Sequence, residues 1–123
     1  MALKPSAEMY LESIYVLCKT KSSVRSIDVA EFMNFSKPSV SRGMGILKKE
    51  NCITVDKDGY ISLTENGLLL ANKIFERHTI LCEALMQIGV DEKTASDDAC
   101  KIEHVISDKS FECLKQYLKN KNG

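Results

Sequence analysis

Residues 26–63, SIDVAEFMNFSKPSVSRGMGILKKENCITVDKDGYISL, decide how this chain is read. Ser26 is placed to cap a short helix carrying Ile27, Ala30 and Met33, with Asp28 in the first turn, where a carboxylate favours the helix dipole. Asn34-Phe35 then makes a tight turn. Ser36 caps a second helix, expected over 36–50, with Pro38 in its first turn, where a missing amide costs nothing. Val40, Met44 and Leu47 form its inward stripe, which leaves Lys37, Ser39, Ser41, Arg42 and Lys49 facing outward. Gly43 and Gly45 within it cost roughly 1 kcal/mol each against Ala, so they either admit a close contact or weaken the helix. Two β-rich runs, 53–55 and 60–63, flank Asp56-Lys57-Asp58-Gly59. Asp-Gly is expected to make a tight hairpin turn because both central residues tolerate positive φ.

Outward from this stretch, Pro5-Ser6 followed by Ala7-Glu8 starts a helix with Ser6 as the capping type, and Tyr10, Ile14 and Leu17 repeat at helical spacing to about Lys19. Three helices and a β-hairpin in this order make the winged helix-turn-helix plan, whose second turn-pair helix enters the DNA major groove while the wing touches backbone. The expected DNA-facing residues are Arg25, Ser36, Lys37, Pro38, Ser39, Ser41 and Arg42, with Lys57 on the wing. Small hydroxyls approach phosphates closely, and the Arg42 fork reaches guanine O6 and N7. A hydrophilic outer face on a plain helical bundle would give the same pattern. Thr64 caps a long helix in which Leu68, Ala71, Phe75, His78, Cys82 and Leu85 step along one face until Gly89. Two further helices are expected over 92–107 and 110–119.

Across 123 residues, Lys+Arg and Asp+Glu balance at 17 each, so bulk charge carries no nucleic-acid signal. Their distribution is uneven, with basic residues leading between Thr20 and Glu50 and acids from Asp91 to Asp108, which fits either solvated surface charge or a DNA-facing half and a cation-facing half. No apolar run approaches a bilayer span, and Met1-Ala2-Leu3-Lys4-Pro5 lacks a secretory core; a soluble, cytoplasmic protein without membrane contact is expected. Five scattered cysteines without a CxxC pair fit reduced thiols. Among them Cys100 stands with Glu103 and His104 at offsets i, i+3 and i+4, which share one face of a helix. Thiolate, carboxylate and imidazole suit a borderline transition metal better than Ca²⁺ or Mg²⁺. The alternative is a half-buried cysteine beside a surface glutamate and histidine.

Nearly everything from Ser6 to Leu118 resembles the diphtheria-toxin-repressor family of metal-dependent transcriptional regulators, in its short, two-domain form without the SH3-like third domain. The resemblance rests on residues 8–15, on Asp28-Val29-Ala30-Glu31 with Ser36-Lys37-Pro38-Ser39-Val40-Ser41, on Leu63-Thr64-Glu65-Asn66-Gly67, on Arg77-His78, on residues 88–92 and on residues 99–108. It implies a mainly α fold, with a winged helix-turn-helix DNA-binding domain over 1–71 and a helical dimerisation and metal-binding domain over 72–123. It further implies a homodimer that binds a divalent metal between helix one and the C-terminal helices, then a palindromic operator, repressing metal-uptake genes.

By the same resemblance, Met9, Cys100, Glu103 and His104 match the iron-type principal site, where the manganese-type branch has Asp and Glu at the first two positions. The softer Met and Cys favour Fe²⁺ as the activating ion, with Mn²⁺, Ni²⁺, Co²⁺ and Zn²⁺ as alternatives. His78 matches a second, ancillary site, as does Glu12 in the manganese-type arrangement. Cys82, where relatives tend to carry Glu, and Ser96, where the iron type has His, depart from that site. Two other functions stay open on the residues alone: a metal-independent winged-helix regulator and a small metallohydrolase. The latter lacks a Gly-rich phosphate loop or a nucleophile motif.

Overall fold

The computed structural model describes residues 3–122; Met1 and Ala2, part of the stretch read for a secretory leader, and Gly123 lie outside them. The elements run α1 (Pro5–Thr20), α2 (Ser26–Met33), α3 (Lys37–Lys49), β1 (Ile53–Val55), β2 (Ile61–Leu63), α4 (Glu65–Gln87), α5 (Glu92–Ile102) and α6 (Asp108–Asn122). The chain divides into two compact units between Asn72 and Lys73, within α4. No helix among the described residues is long and apolar enough to cross a membrane.

In the first unit α1, α2 and α3 pack on one another. α1 buries Ala7, Tyr10, Leu11, Ile14 and Leu17, α2 buries Val29 and Ala30, and α3 buries Val40, Met44 and Leu47. Each large aliphatic side chain taken fully from water contributes roughly 1.5–3 kcal/mol, so this core holds the three helices in place. Two capping assignments are corrected. Pro5 is already in the first turn of α1, behind Lys4, and Ser6 is not its cap. α2 is capped from Arg25, whose backbone N–H donates to the Asp28 carboxylate at 2.8 Å, so Ser26 is the first helical residue. Lys21, 2.6 Å from Asp28, and the Arg25 amide hold the Asp28 carboxyl below the usual carboxylate range. This cap therefore stabilises at neutral pH and fades as pH falls through the lowered value. Asn34 takes φ 57°, the left-handed residue of the turn, and Ser36 caps α3 by accepting from the Ser39 N–H at 3.3 Å.

The strands pair antiparallel, Ile53 with Leu63, Thr54 with Ser62 and Val55 with Ile61; Ile53 and Ile61 are buried, whereas Thr54 and Ser62 are exposed. The connection is not the tight two-residue turn expected. Val55 and Ile61 leave Asp56 to Tyr60 as the loop, Gly59 alone within it has positive φ (87°), and the Asp56 carboxylate accepts from the N–H groups of Asp58 and Tyr60, both at 2.9 Å. An aspartate that binds two downstream amides closes a wider loop than a type I′ turn does. α4 departs in part from its expected face: Ala71 is buried as expected, Ile74 and Leu81 are buried as well, but Leu68 and Phe75 are exposed. The register follows from Gly67, where any Cβ would collide with the Cys52 carbonyl oxygen, so the helix turns Gly67 and not Leu68 inward.

The two glycines of α3 have opposite roles. A Cβ on Gly43 would stand 2.5 Å from Tyr10 Cδ2, whereas one on Gly45 would meet nothing within 4 Å among the described residues. Gly43→Ala should therefore destabilise by about 1–3 kcal/mol through overpacking, and Gly45→Ala should stabilise by about 1 kcal/mol, both in urea unfolding of the DNA-free protein. Equal shifts of one sign would show that the Tyr10 contact does not decide the difference.

Candidate functional site

The second unit holds the lower part of α4, then α5 and α6. Asp91 caps α5 by accepting from the Thr94 N–H at 3.0 Å, and hydrogen bonds from Thr94 hold its carboxyl below the usual range. Ala95 and Ala99 line the buried side of the helix. α5 ends earlier than the sequence pattern suggested. Ile102 is its last residue, Glu103 sits at the C-cap with φ −58° and ψ −25°, and His104 belongs to the turn that follows. The N–H groups of Val105 and Ile106 both reach the Ile102 carbonyl, at 3.0 and 2.9 Å. Because Glu103 keeps right-handed helical dihedrals and its N–H still bonds the Ala99 carbonyl at 2.9 Å, the spacing of Cys100, Glu103 and His104 survives the helix end.

Those three side chains converge. One ligand atom from each of Cys100, Glu103 and His104 lies within 4.8 Å of the others. The Glu103 side chain is 0% exposed and that of His104 3%. Glu103 Oε1 lies 3.2 Å from His104 Nε2, and Oε2 lies 3.1 Å from His78 Nδ1. Among the described residues Oε1 receives no hydrogen bond of acceptable geometry. A carboxylate taken wholly out of water with one oxygen unsatisfied is costly, and a cation on that oxygen would offset the cost. Nitrogen, oxygen and sulfur donors together fit a divalent transition metal and not an all-oxygen cation, so the residues present suit the ion that the sequence pattern points to.

His78 takes part in the same cluster. Besides the Glu103 contact, its Nε2 lies 3.4 Å from Ser96 Oγ, so the ring spans Glu103 and the serine that stands at the departed ancillary position. Cys82 is half-buried further along α4. Met9 and Glu12, both half-buried, belong to α1 in the first unit.

Sequence reasoning missed the role of Arg77, which holds the turn carrying the site. Its Nη1 donates to the Ile106 carbonyl at 2.9 Å and to the Glu103 carbonyl at 3.4 Å, its Nη2 donates to the Asp108 carboxylate, and its guanidinium lies 5.5 Å from the Phe111 ring centroid. Its acceptors lie 26 to 31 residues downstream, and two of them are main-chain carbonyls, so no local pattern could reveal them.

On the expected DNA-facing side, Ser36, Lys37, Pro38, Ser41, Arg42 and Lys57 are exposed. Ser39 is half-buried, its hydroxyl is bonded by Ser36 Oγ at 3.0 Å, and its carbonyl accepts from Tyr10 at 3.1 Å. Arg25 is exposed, but its side chain is engaged by the wing.

Comparison with known proteins identifies the family of both parts of the chain. Residues 2–66 match the family described as iron dependent repressor, N-terminal DNA binding domain, and residues 64–122 match iron dependent repressor, metal binding and dimerisation domain. A helix-turn-helix transcriptional regulator of Methanocaldococcus jannaschii is 33% identical over 118 residues, covering 94% of each chain. The diphtheria toxin repressor of Corynebacterium diphtheriae is 32% identical over 96% of this chain and 53% of its own. The solved structure of the manganese regulator SloR superposes with a TM-score of 0.82 at 28% identity, over 97% of this chain and 55% of that one. This chain thus spans about half the length of the last two proteins.

Glu103→Gln keeps the side-chain shape and removes its charge. Metal-outer partners alone are worth about 10–100-fold, so loss of this central carboxylate should lower Mn²⁺ and Zn²⁺ affinity by more than about a hundredfold in DNA-free calorimetry, without lowering the unfolding temperature of the metal-free protein. Unchanged metal affinity would remove Glu103 from the site.

Proposed function

Because the chain belongs to the iron-dependent, diphtheria-toxin-repressor family of metal-dependent transcriptional repressors, we propose that it is an iron-responsive homodimer that binds a palindromic operator and represses metal-uptake genes. The observation that carries the metal reading is the buried Glu103 carboxylate between two imidazoles, with the Cys100 thiol in the same cluster. Cys100, Glu103 and His104 hold the ion. Met9 completes the principal set, and His78 and Glu12 supply a further one, on the strength of the family resemblance. A bound divalent ion would supply the positive charge that offsets the buried Glu103 carboxylate and the Cys100 sulfur beside it. Residues 1–71 bind DNA, with α3 in the major groove and Lys57 on the flanking backbone, while 72–123 dimerise and hold the metal.

The family includes relatives named for manganese, and the choice between the metals rests here on donor chemistry. A thioether from Met9 and a thiolate from Cys100 are softer than two carboxylates, which moves preference from Mn²⁺ toward Fe²⁺ and its later neighbours. A ligand shifts an equilibrium only through its different affinity for the two states, so a hundredfold effect of metal on DNA binding requires about 2.7 kcal/mol of coupling.

A duplex selected from a random-sequence pool by the Fe²⁺-loaded protein provides the test, under anaerobic conditions. Chelator should weaken binding to this duplex by about a hundredfold, corresponding to the coupling above, and His104→Ala should bind weakly with or without chelator. Tight binding that ignores both changes would mark a metal-independent regulator. Met9→Asp combined with Cys100→Glu should raise activation by Mn²⁺ relative to Fe²⁺ in the same assay. An unaltered ratio would show that these two side chains do not select the metal.

A further inference from the structure

Arg25 is the residue immediately ahead of α2, and its charge suggests a phosphate contact. Its side chain is instead held by the wing. Nε donates to the Asp58 carbonyl oxygen at 3.1 Å, Nη2 donates to the same oxygen, and the guanidinium carbon lies 4.8 Å from the centroid of the Tyr60 ring. Between these two contacts lies Gly59, at φ 87°; a Cβ there would stand 3.7 Å from Arg25 Nε. The main chain beside Arg25 is fixed as well. Its N–H donates to Asp28 at 2.8 Å, and the neighbouring Val24 carbonyl accepts from the Ile61 N–H at 2.8 Å. The segment between α1 and α2 is thus fastened to the wing twice, once on the β2 backbone and once at the loop.

We propose that Arg25 is a positioning residue that latches the wing loop and so presents Lys57 to the nucleic-acid backbone. The proposal rests on the reading that the wing touches DNA. A two-stranded hairpin of three-residue strands is marginal in water on its own, so its tip needs an external hold. Arginine suits this role because one planar group bonds a carbonyl through two nitrogens while stacking on an aromatic face. A lysine ammonium, a point charge on a flexible stem, cannot do both. Lys57, next to Asp58 and exposed, is the cation whose placement the latch controls.

Two measurements test the latch. In hydrogen exchange of the DNA-free protein, Arg25→Ala and Arg25→Lys should both speed exchange of the Asp58 to Tyr60 amides by about tenfold, leaving α1 and α3 protected. In titrations of the metal-loaded protein with the selected duplex over a range of salt, Lys57→Ala should weaken binding and lower the salt slope by about one. In the Arg25→Ala background the same change should cost less than about twofold and lower the slope no further, because Lys57 has already lost its place. Arg25→Lys should behave like Arg25→Ala. Additive losses, summed slopes and near-normal binding by Arg25→Lys would instead make Arg25 a phosphate contact and overturn the proposal, as would unchanged exchange in the wing. Should Arg25→Ala not fold, Tyr60→Leu removes the stacking partner alone and is expected to give the same exchange and coupling. No effect of Lys57→Ala in the parent protein would overturn the wing reading, and the exchange experiment, which needs no DNA, separates that failure from failure of the latch.

Discussion

A carboxylate with no exposure to water sets the terms for the second unit. Glu103 lies between His78 and His104, at 3.1 and 3.2 Å, and has an oxygen that no donor among the described residues satisfies. Hydrophobic packing alone would not retain such a group, because an apolar residue of similar volume would be cheaper at the same place. The surrounding residues follow from it. Arg77 fixes the Glu103 carbonyl and the turn beyond it, Ser96 meets the far side of the His78 ring, and Cys100 contributes a thiol one helical turn earlier. Each residue is an ordinary side chain, and only together do they form a compact donor set around a carboxylate out of water, one that would favour a transition metal.

The first unit works by different physics. Its core is apolar, and what it positions is a polar outer face on α3 and a small wing. Gly43 lets the Tyr10 ring approach α3, and the Tyr10 hydroxyl then bonds the Ser39 carbonyl near the start of that helix. The same contact explains why Ser39 is partly withdrawn from the surface while Ser41 and Arg42 remain on it. Cys52 shows the opposite use of a thiol from Cys100: burial, with a smaller contribution from Glu50, pushes its ionisation up, so it serves as a small core residue beside Gly67.

Much of this was legible in the chain because helical periodicity, Ser36 before Pro38 and two short β runs around a Gly-containing loop are local signals. The convergence of Cys100, Glu103 and His104 was legible for the same reason, since three residues within five positions carry their own geometry. What the sequence concealed depended on partners far along the chain. The α4 face was set by the Cys52 carbonyl against Gly67, which left Ala71 inward as expected but turned Leu68 and Phe75 outward and brought Ile74 in. The hairpin loop was widened by the Asp56 side chain, which captured amides that a tight turn would have paired differently. Arg25 looked like a surface cation because its acceptor is a main-chain carbonyl 33 residues away, and Arg77 escaped notice on the same ground.

X-ray absorption of the Zn²⁺- or Fe²⁺-loaded protein reads the ion's ligand shell directly, without DNA. A mixed shell of nitrogen, oxygen and sulfur is expected, with a zinc–sulfur distance of about 2.3 Å, and loss of that thiolate scatterer in Cys100→Ser while the imidazole signal stays. A shell of oxygen and nitrogen alone, unchanged by Cys100→Ser and by His104→Ala, would contradict it.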